Sequence, residues 1–114
     1  MKSITLKVEL PSIDELEQSF ESNYKDIFIS SADSGKTRLY SIEKYYKRIG
    51  TEVGGFVLIE PLEGATCFIQ LWVLGGQSSP MRVDHGAQNH FAKEMQDLIT
   101  KHATRVIQTD TLLE

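Results

Sequence analysis

The sequence predicts an α+β protein, a two-layer sandwich in which a curved, mostly antiparallel sheet of four to six strands packs against a C-terminal helix. Three observations predict this class. Apolar and polar residues alternate near the N-terminus, which is the period of a half-buried strand. Several strand-like segments then follow one another across short turns, which favours an antiparallel meander. Near the C-terminus the apolar spacing becomes that of a helix.

The composition bounds the organisation and the class of partner. A chain of 114 residues is the usual size of one domain, so we assign residues 1–114 to a single domain. The formal net charge of −4 disfavours a nucleic-acid partner, because phosphate contacts need a basic surface. No apolar run approaches a membrane span, and a single cysteine excludes an intrachain disulfide. We therefore expect a cytoplasmic protein without a membrane partner.

The first two elements are a strand and a short helix. Apolar residues occupy every second position from Ile4 to Leu10, and Pro11 ends this strand. Ser12 and Glu15 then have the spacing of a capping box, in which each side chain accepts a hydrogen bond from the backbone of the other. We predict a helix from about Ile13 to Ser22.

Four further strands are predicted in the middle of the chain. They are Ile27 to Ser31, Thr37 to Lys47, Phe56 to Glu60 and Ala65 to Leu74. The pair Gly54 and Gly55 is interpreted as a bulge or a turn before the third of these strands. Neither face of Thr37 to Lys47 is cleanly apolar, so the sequence leaves open which of its faces points inward.

The last predicted helix begins at about Gln88 or Asn89. Its apolar stripe consists of Phe91, Met95, Leu98 and His102, widened by Ala92 and Ile99. A stripe of this width indicates that the helix packs against the sheet. We interpret Thr104 to Thr109 as a tail or a partial strand.

Three short segments resemble a family of short bacterial proteins that is classed only as a domain of unknown function. They are Tyr40 to Tyr46, Gly75 to Ser78, and Val83 to Phe91, which opens the last helix. The resemblance covers about Arg38 to Ile99, the C-terminal two-thirds of the chain. It implies a compact α+β fold and assigns no activity to any residue.

The residues that most often carry chemistry form no convincing catalytic or metal site. His85 and His90 are five residues apart, whereas zinc-binding helices place histidines four apart on one face. Cys67 lies within a strand among apolar residues, which favours a buried thiol over a nucleophile. We predict no catalytic residue, no metal and no cofactor. Whether the protein is an enzyme is left undecided, leaning towards no; an enzyme that uses Asp84, His85 and His90 is the third hypothesis.

Hydrophobicity on both sides of two strands is the strongest functional signal. An antiparallel strand with one wet face alternates apolar and polar residues, but Phe56 to Ile59 and Cys67 to Leu74 are apolar on both faces. If both helices pack on one face, then Phe68, Trp72 and Leu74 stay exposed on the other. An exposed patch of this kind marks an interface or a ligand groove. The first hypothesis is therefore a non-enzymatic interaction protein that forms a homodimer through these three residues.

The alternative is a protein that binds a small apolar ligand. A curved sheet against a long helix can leave an apolar cleft with a few polar groups. The predicted lining of this cleft is Tyr40, Tyr46, Trp72, Arg82 and His85.

Overall fold

The computed structural model describes residues 2–24, 26–32, 36–46, 51–75 and 86–113, and it confirms the α+β class. Six strands and two helices lie within these ranges. They are β1 (Lys2–Glu9), α1 (Ile13–Asn23), β2 (Asp26–Ala32), β3 (Thr37–Tyr46), β4 (Thr51–Pro61), β5 (Thr66–Gly75), α2 (Ala87–His102) and β6 (Arg105–Leu113).

The six strands form one antiparallel sheet in the order β2-β3-β4-β5-β1-β6. The predicted meander is present, since β2 to β5 are neighbours in chain order. The N-terminal strand β1 does not lie at an edge, because it pairs with β5 on one side and with β6 on the other. Consequently β2 and β6 are the two edges of the sheet.

The C-terminal segment is a full strand, longer than the tail or partial strand predicted for Thr104 to Thr109. Strand β6 pairs with β1 over nearly its whole length, from Glu9 opposite Arg105 to Lys2 opposite Leu113. The register shifts between Lys7 and Val8, which indicates a bulge.

Helix α1 begins where the sequence predicts. The Ser12 hydroxyl accepts a hydrogen bond from the Glu15 amide at 3.1 Å, which is one of the two bonds of the predicted capping box. Leu16 and Phe20 are buried, and the Phe20 ring meets Tyr40 of β3 edge to face at 5.2 Å. This places α1 on the face of the sheet to which Tyr40 points.

Helix α2 packs on the same face and contacts β5, β1 and β4 as well as α1. Its buried side chains are Phe91, Ala92, Met95 and Ile99. The buried stripe of α2 differs slightly from the predicted one. Leu98 and His102 were predicted to belong to it, but they lie at its margin and are only partly buried. Neither described helix has the length and apolar composition that a membrane crossing requires.

The glycine pair of β4 lies inside the strand and not in a turn, which corrects the sequence interpretation. Gly54 pairs with Glu43 and Leu74, and Gly55 pairs with Ile42 and Val73. A β-carbon on Gly55 would lie 2.9 Å from Cε2 of Phe91 and 3.0 Å from the backbone oxygen of Trp72. The absence of a side chain at Gly55 lets α2 approach the sheet closely.

Candidate interaction surface

Strand β5 shows which face of the sheet the helices cover. Its inward side chains are fully or nearly fully buried: Cys67, Ile69, Leu71 and Val73. Its outward side chains, Phe68, Gln70 and Trp72, are half-buried, and Leu74 is 42% exposed. Both helices therefore lie on one face, and no described helix covers the other face, which we call the open face.

Apolar side chains from three neighbouring strands meet on the open face. We call the following residues the open-face patch: Leu39, Phe56, Leu58, Phe68, Trp72 and Leu74. Phe56 lies directly opposite Trp72, and Leu58 lies opposite Leu39. Phe56 is 40% exposed and Leu39 is 39% exposed. The patch is thus contiguous across β3, β4 and β5.

Polar and charged side chains border this patch. Ser41 and Glu43 of β3 flank it on one side, and Ser3 and Thr5 of β1 flank it on the other. At the end nearest the β4–β5 turn is a shallow hollow with a volume of about 420 Å³. Its lining residues are Thr5, Lys7, Glu60, Leu62, Phe68, Gln108 and Asp110.

The three residues predicted for an interface lie together. Phe68, Trp72 and Leu74 project from the open face of β5, as expected if both helices occupy the opposite face. Sequence reasoning missed Leu39 and the charged neighbours of Phe68. The alternation of residues in β3 indicates that Leu39 and Tyr40 point to opposite faces. Only the strand register shows that Leu39 lies beside the patch, opposite Leu58.

The predicted ligand set does not form one site. Tyr40 is fully buried on the helix-covered face, whereas Trp72 is on the open face, so one cleft cannot be lined by both. Tyr46 is the last residue of β3, and its side chain lies outside the described part. Arg82 and His85 also lie outside the described residues. Phe91 packs so tightly over Gly55 that side chains already fill the contact between α2 and β4.

A polar cluster ties α1 to β3 on the helix-covered face. The Tyr40 hydroxyl donates to Oε1 of Glu17 at 2.9 Å, and Nη1 of Arg38 donates to the same oxygen at 3.2 Å. Nη2 of Arg38 lies 2.7 Å from Oδ1 of Asp14. Burial, followed by the hydrogen bond to Glu17, raises the pKa of Tyr40, and the bond to Asp14 raises the pKa of Arg38. Each group therefore stays in its ordinary protonation state and serves as a structural link.

A second polar cluster joins α2 to β3 and to the end of α1. Glu94 accepts from Nζ of Lys44 at 2.8 and 3.1 Å and from the Tyr24 hydroxyl at 2.8 Å. Nδ1 of His90 is 3.8 Å from the same carboxylate. Burial by itself raises the pKa of Glu94, but the bonds from Lys44 and Tyr24 outweigh it and hold the pKa below its usual value. The carboxylate is therefore ionised and paired.

The remaining chemical candidates show no site geometry in the described part of the chain. Cys67 is buried, and burial raises the pKa of its thiol, which opposes thiolate formation. His90 is exposed near the start of α2, and Asp84 lies outside the described residues. Among the side chains of the described ranges, no three His, Cys, Asp or Glu groups converge as ligands for a metal ion.

The fold and the surface together define a class of protein: an α+β protein with a single open antiparallel sheet, helices on one face and an apolar patch on the other. The chain matches no family model, and no curated protein is significantly similar to it. The resemblance of Arg38 to Ile99 to a family of short bacterial proteins therefore stays a prediction.

Proposed function

We propose that this protein is a non-enzymatic interaction module that acts as a homodimer, with the open-face patch of each copy packed against that of the other. One observation carries the proposal: both helices pack on one face of the sheet, and the other face presents contiguous apolar side chains. Exposed apolar patches on this scale mark interaction sites. Pairing of two identical patches is the commonest way in which proteins cover one.

The size of the open face supports a second copy as its occupant. Six strands spaced about 4.8 Å apart span roughly 24 Å, and strands of this length extend roughly 30 Å. The face therefore offers roughly 700 Å² on each copy. A standard stable interface buries about 800 Å² per partner, so two such faces are close to what a stable dimer needs.

The distribution of polarity on the face also fits an interface. Protein interfaces combine an apolar centre rich in aromatic residues with a polar rim. Here Phe56, Phe68 and Trp72 lie towards the centre, and Ser41 and Thr5 lie on strands to either side. Packing two sheets face to face about 10 Å apart would remove the aromatic side chains from water and leave the rim hydrated.

The chemistry of the described residues favours binding over catalysis. The Arg38 and Glu94 clusters pair their charges internally, and each links two or more elements of the fold. Cys67 is covered by its own chain. These groups serve the structure of the monomer, whereas the exposed apolar side chains of the open-face patch do not link elements of the fold.

The decisive experiment measures the oligomeric state of the wild type and of two matched variants by sedimentation equilibrium across the micromolar range. The wild type should be a dimer. Phe56→Glu places a charge at the centre of the interface and should weaken association by about 2 kcal/mol. Ile29→Glu is the control, because Ile29 is 37% exposed, similar to Phe56, but lies opposite Tyr40 on the other face. The control should remain a dimer.

A wild-type protein that sediments as a monomer throughout this range would overturn the proposal. Equal weakening by Phe56→Glu and Ile29→Glu would also overturn it, since association would then not involve the open face. Circular dichroism of both variants verifies that each is folded before association is compared.

A further inference from the structure

We infer that the two copies are related by a two-fold axis that lies between the open faces and runs roughly perpendicular to the strands, so that the Trp72 indole of each copy donates a hydrogen bond to the carboxamide of Gln70 of the partner subunit. This inference rests on the proposed function and specifies how the two open faces are arranged. It depends on the strand register and on two polar groups of the open face.

The two polar groups lie side by side near the centre of the open-face patch. Gln70 and Trp72 project from the same face of β5, where Gln70 is directly opposite Leu58 and Trp72 is directly opposite Phe56. Both side chains are half-buried. Among the described residues, neither side chain makes a hydrogen bond. In a single copy, both groups are therefore hydrated.

An interface on this face removes that water. A donor or acceptor that is buried without a partner costs more free energy than a typical hydrogen bond contributes. The indole nitrogen of Trp72 can only donate, and the carboxamide oxygen of Gln70 accepts, so the two groups are complementary. Within one copy they project in parallel from positions about 6.8 Å apart along the strand. A second copy that runs in the opposite direction can bring each group over the other.

A rotation of 180° about an axis perpendicular to the strands lays each strand over its own copy and reverses its direction. We place the axis midway between the row of Leu58 and Gln70 and the row of Phe56 and Trp72. Gln70 then lies over Trp72 of the partner subunit, and Trp72 lies over Gln70 of the partner subunit. Leu58 and Phe56 exchange in the same way on β4. Sheets packed about 10 Å apart at about 30° to each other keep the match closest near this centre.

The six residues of the open-face patch are distributed symmetrically about this axis. The register divides them into four successive rows: Phe68; Leu39 and Leu58; Phe56 and Trp72; Leu74. The axis exchanges the first row with the fourth and the second row with the third. Phe68 therefore lies over Leu74 of the partner subunit, and the two patches cover each other.

The charged side chains around the patch are compatible with this arrangement. Glu60, which is opposite Phe68, lies over Gly54 of the partner subunit, where no side chain is present. Glu43 lies over Thr37 of the partner subunit. Lys7 lies over the end of β1 of the partner subunit. None of these three side chains faces a like charge directly.

The hollow beside the patch also fits this arrangement. Its volume is about 420 Å³, and its lining includes Phe68 together with Glu60 and Asp110. The side chain that lies over Phe68 is Leu74 of the partner subunit, which is apolar. The arrangement therefore covers the aromatic part of the hollow and adds no carboxylate to the two already present.

An axis parallel to the strands and directly above β4 also superimposes the centres of the two patches, but it gives a poorer match. It places Glu60 over Glu60 of the partner subunit, so that two carboxylates repel each other. It also places Gln70 over Leu39 of the partner subunit, whose side chain offers no hydrogen bond. The amide would then lose water without gaining a partner. The register thus favours the axis perpendicular to the strands.

The test compares two single variants with their mixture by native mass spectrometry, after one variant has been isotope-labelled and the subunits have exchanged. Trp72→Phe removes the donor and keeps an aromatic ring, and Gln70→Leu removes the acceptor. Each homodimer then contains two polar groups without a partner. The heterodimer of the two variants contains one intact pair of Trp72 and Gln70 and one apolar pair. It should therefore be roughly tenfold tighter than the geometric mean of the two homodimers.

Thr5→Val mixed with Trp72→Phe is the matched control. Thr5 lies beside Gln70 on the open face, but in this arrangement it faces Ser3 of the partner subunit. The heterodimer of the control mixture should equal the geometric mean of its two homodimers. Comparison with the geometric mean removes the effect that each substitution has by itself, and circular dichroism verifies that every variant is folded.

The outcomes separate the arrangement from the proposed function. If the wild type is a dimer and the heterodimer of Trp72→Phe with Gln70→Leu is no tighter than the geometric mean, the axis is wrong while the homodimer stands. An equal preference in the control mixture would also overturn the inference, since it would not arise from Gln70. An interaction within one copy cannot produce the preference, because neither subunit of the heterodimer contains both wild-type residues. If the wild type is a monomer, both proposals fail.

Discussion

Gly55 shows how a single residue decides the distance between the two layers of the molecule. A β-carbon at this position would lie within 3.0 Å of the Phe91 ring and of the Trp72 backbone oxygen. The Phe91 ring can shift slightly. The backbone oxygen of Trp72 cannot, because it belongs to strand β5, which is paired on both sides. Gly54, its neighbour in β4, has room, since its nearest contact would be at 3.6 Å.

We predict that Gly55→Ala lowers the free energy of unfolding by about 1–3 kcal/mol, the usual cost of overpacking a core. Gly54→Ala should be neutral or stabilising by up to about 1 kcal/mol, because alanine loses less backbone entropy on folding. Urea denaturation of both variants measures the difference. Equal stabilities of the two variants would show that α2 does not approach β4 as closely as described.

Glu94 is the residue at which stability and pH are coupled most directly. Its pKa in the folded protein is lower than in the unfolded chain, because Lys44 and Tyr24 donate to the ionised form and outweigh the effect of burial. His90 faces the same carboxylate and adds to this effect. A group whose pKa is depressed by folding stabilises the folded state above its unfolded value and loses that contribution as the pH falls.

We predict that Glu94→Gln lowers the free energy of unfolding by about 1 kcal/mol at pH 7, after allowance for solvent screening of a partly exposed pair. The difference from wild type should shrink as the pH falls below the unfolded pKa of about 4.5. Urea denaturation at several pH values measures it. Lys44→Met should show the same trend, because it removes the cation that favours the charged carboxylate. A constant difference between Glu94→Gln and wild type at all pH values would contradict this account.

At the scale of elements, α1 is specified largely by its own sequence. Ser12 has extended backbone angles (φ −142°, ψ 109°) and accepts from the Glu15 amide, as an N-cap residue does. Asp14 and Glu15 in the first turn also suit the positive end of the helix dipole. These signals are local, which is why the helix start was predictable to the residue.

We predict that Ser12→Ala lowers the free energy of unfolding by about 1 kcal/mol, because one amide of the first turn loses its acceptor. Ser22→Ala is the matched control, since Ser22 is exposed near the end of the same helix and alanine favours the helix slightly. Thermal and urea denaturation compare the two. A control that is as destabilising as Ser12→Ala would show that the cap contributes nothing specific.

For strand β6 the sequence left a tail and a partial strand as alternatives, and it did not indicate the full length of the strand. Its side chains from Arg105 to Asp110 are all exposed, so burial imposes no apolar period on them. The strand is held by its pairing with β1, and every residue type except proline has both a backbone donor and a backbone acceptor for such pairing. The prediction for Gly54 and Gly55 was wrong for a different reason: the local turn signal of the glycine pair is overridden by the pairing of β4 with β3 and β5.

For the whole molecule, the decisive fact is that two helices of 11 and 16 residues cover one face of a six-stranded sheet. The inner faces of β1, β4 and β5 are buried beneath them. The outer faces of β3, β4 and β5 carry the open-face patch, so a lone copy leaves Phe56, Trp72 and Leu74 in contact with water. The proposed dimer follows from this imbalance between apolar sheet surface and helical cover.

Part of the candidate surface could be predicted without coordinates. The two-sided hydrophobicity of Cys67 to Leu74 indicated exposed apolar side chains, and Phe68, Trp72 and Leu74 do lie on the open face. The predicted lining of a ligand cleft combined Tyr40 and Trp72, which lie on different strands and point to opposite faces of the sheet. A period of two shows which residues of one strand share a face, but it does not show which faces of two strands coincide.

The amino-acid sequence by itself determined the α+β class, the positions of α1, β3 and β5, and the apolar character of both faces of β5. Each of these depends on spacing within one segment, which local geometry converts directly into structure. The tertiary structure alone decided that Tyr40 points towards α1, that β1 lies between β5 and β6, and that Glu60, Phe68 and Lys7 form one row. The physical reason is that strand order and register arise from pairing between distant segments, and a shift of one residue would move every side chain to the opposite face.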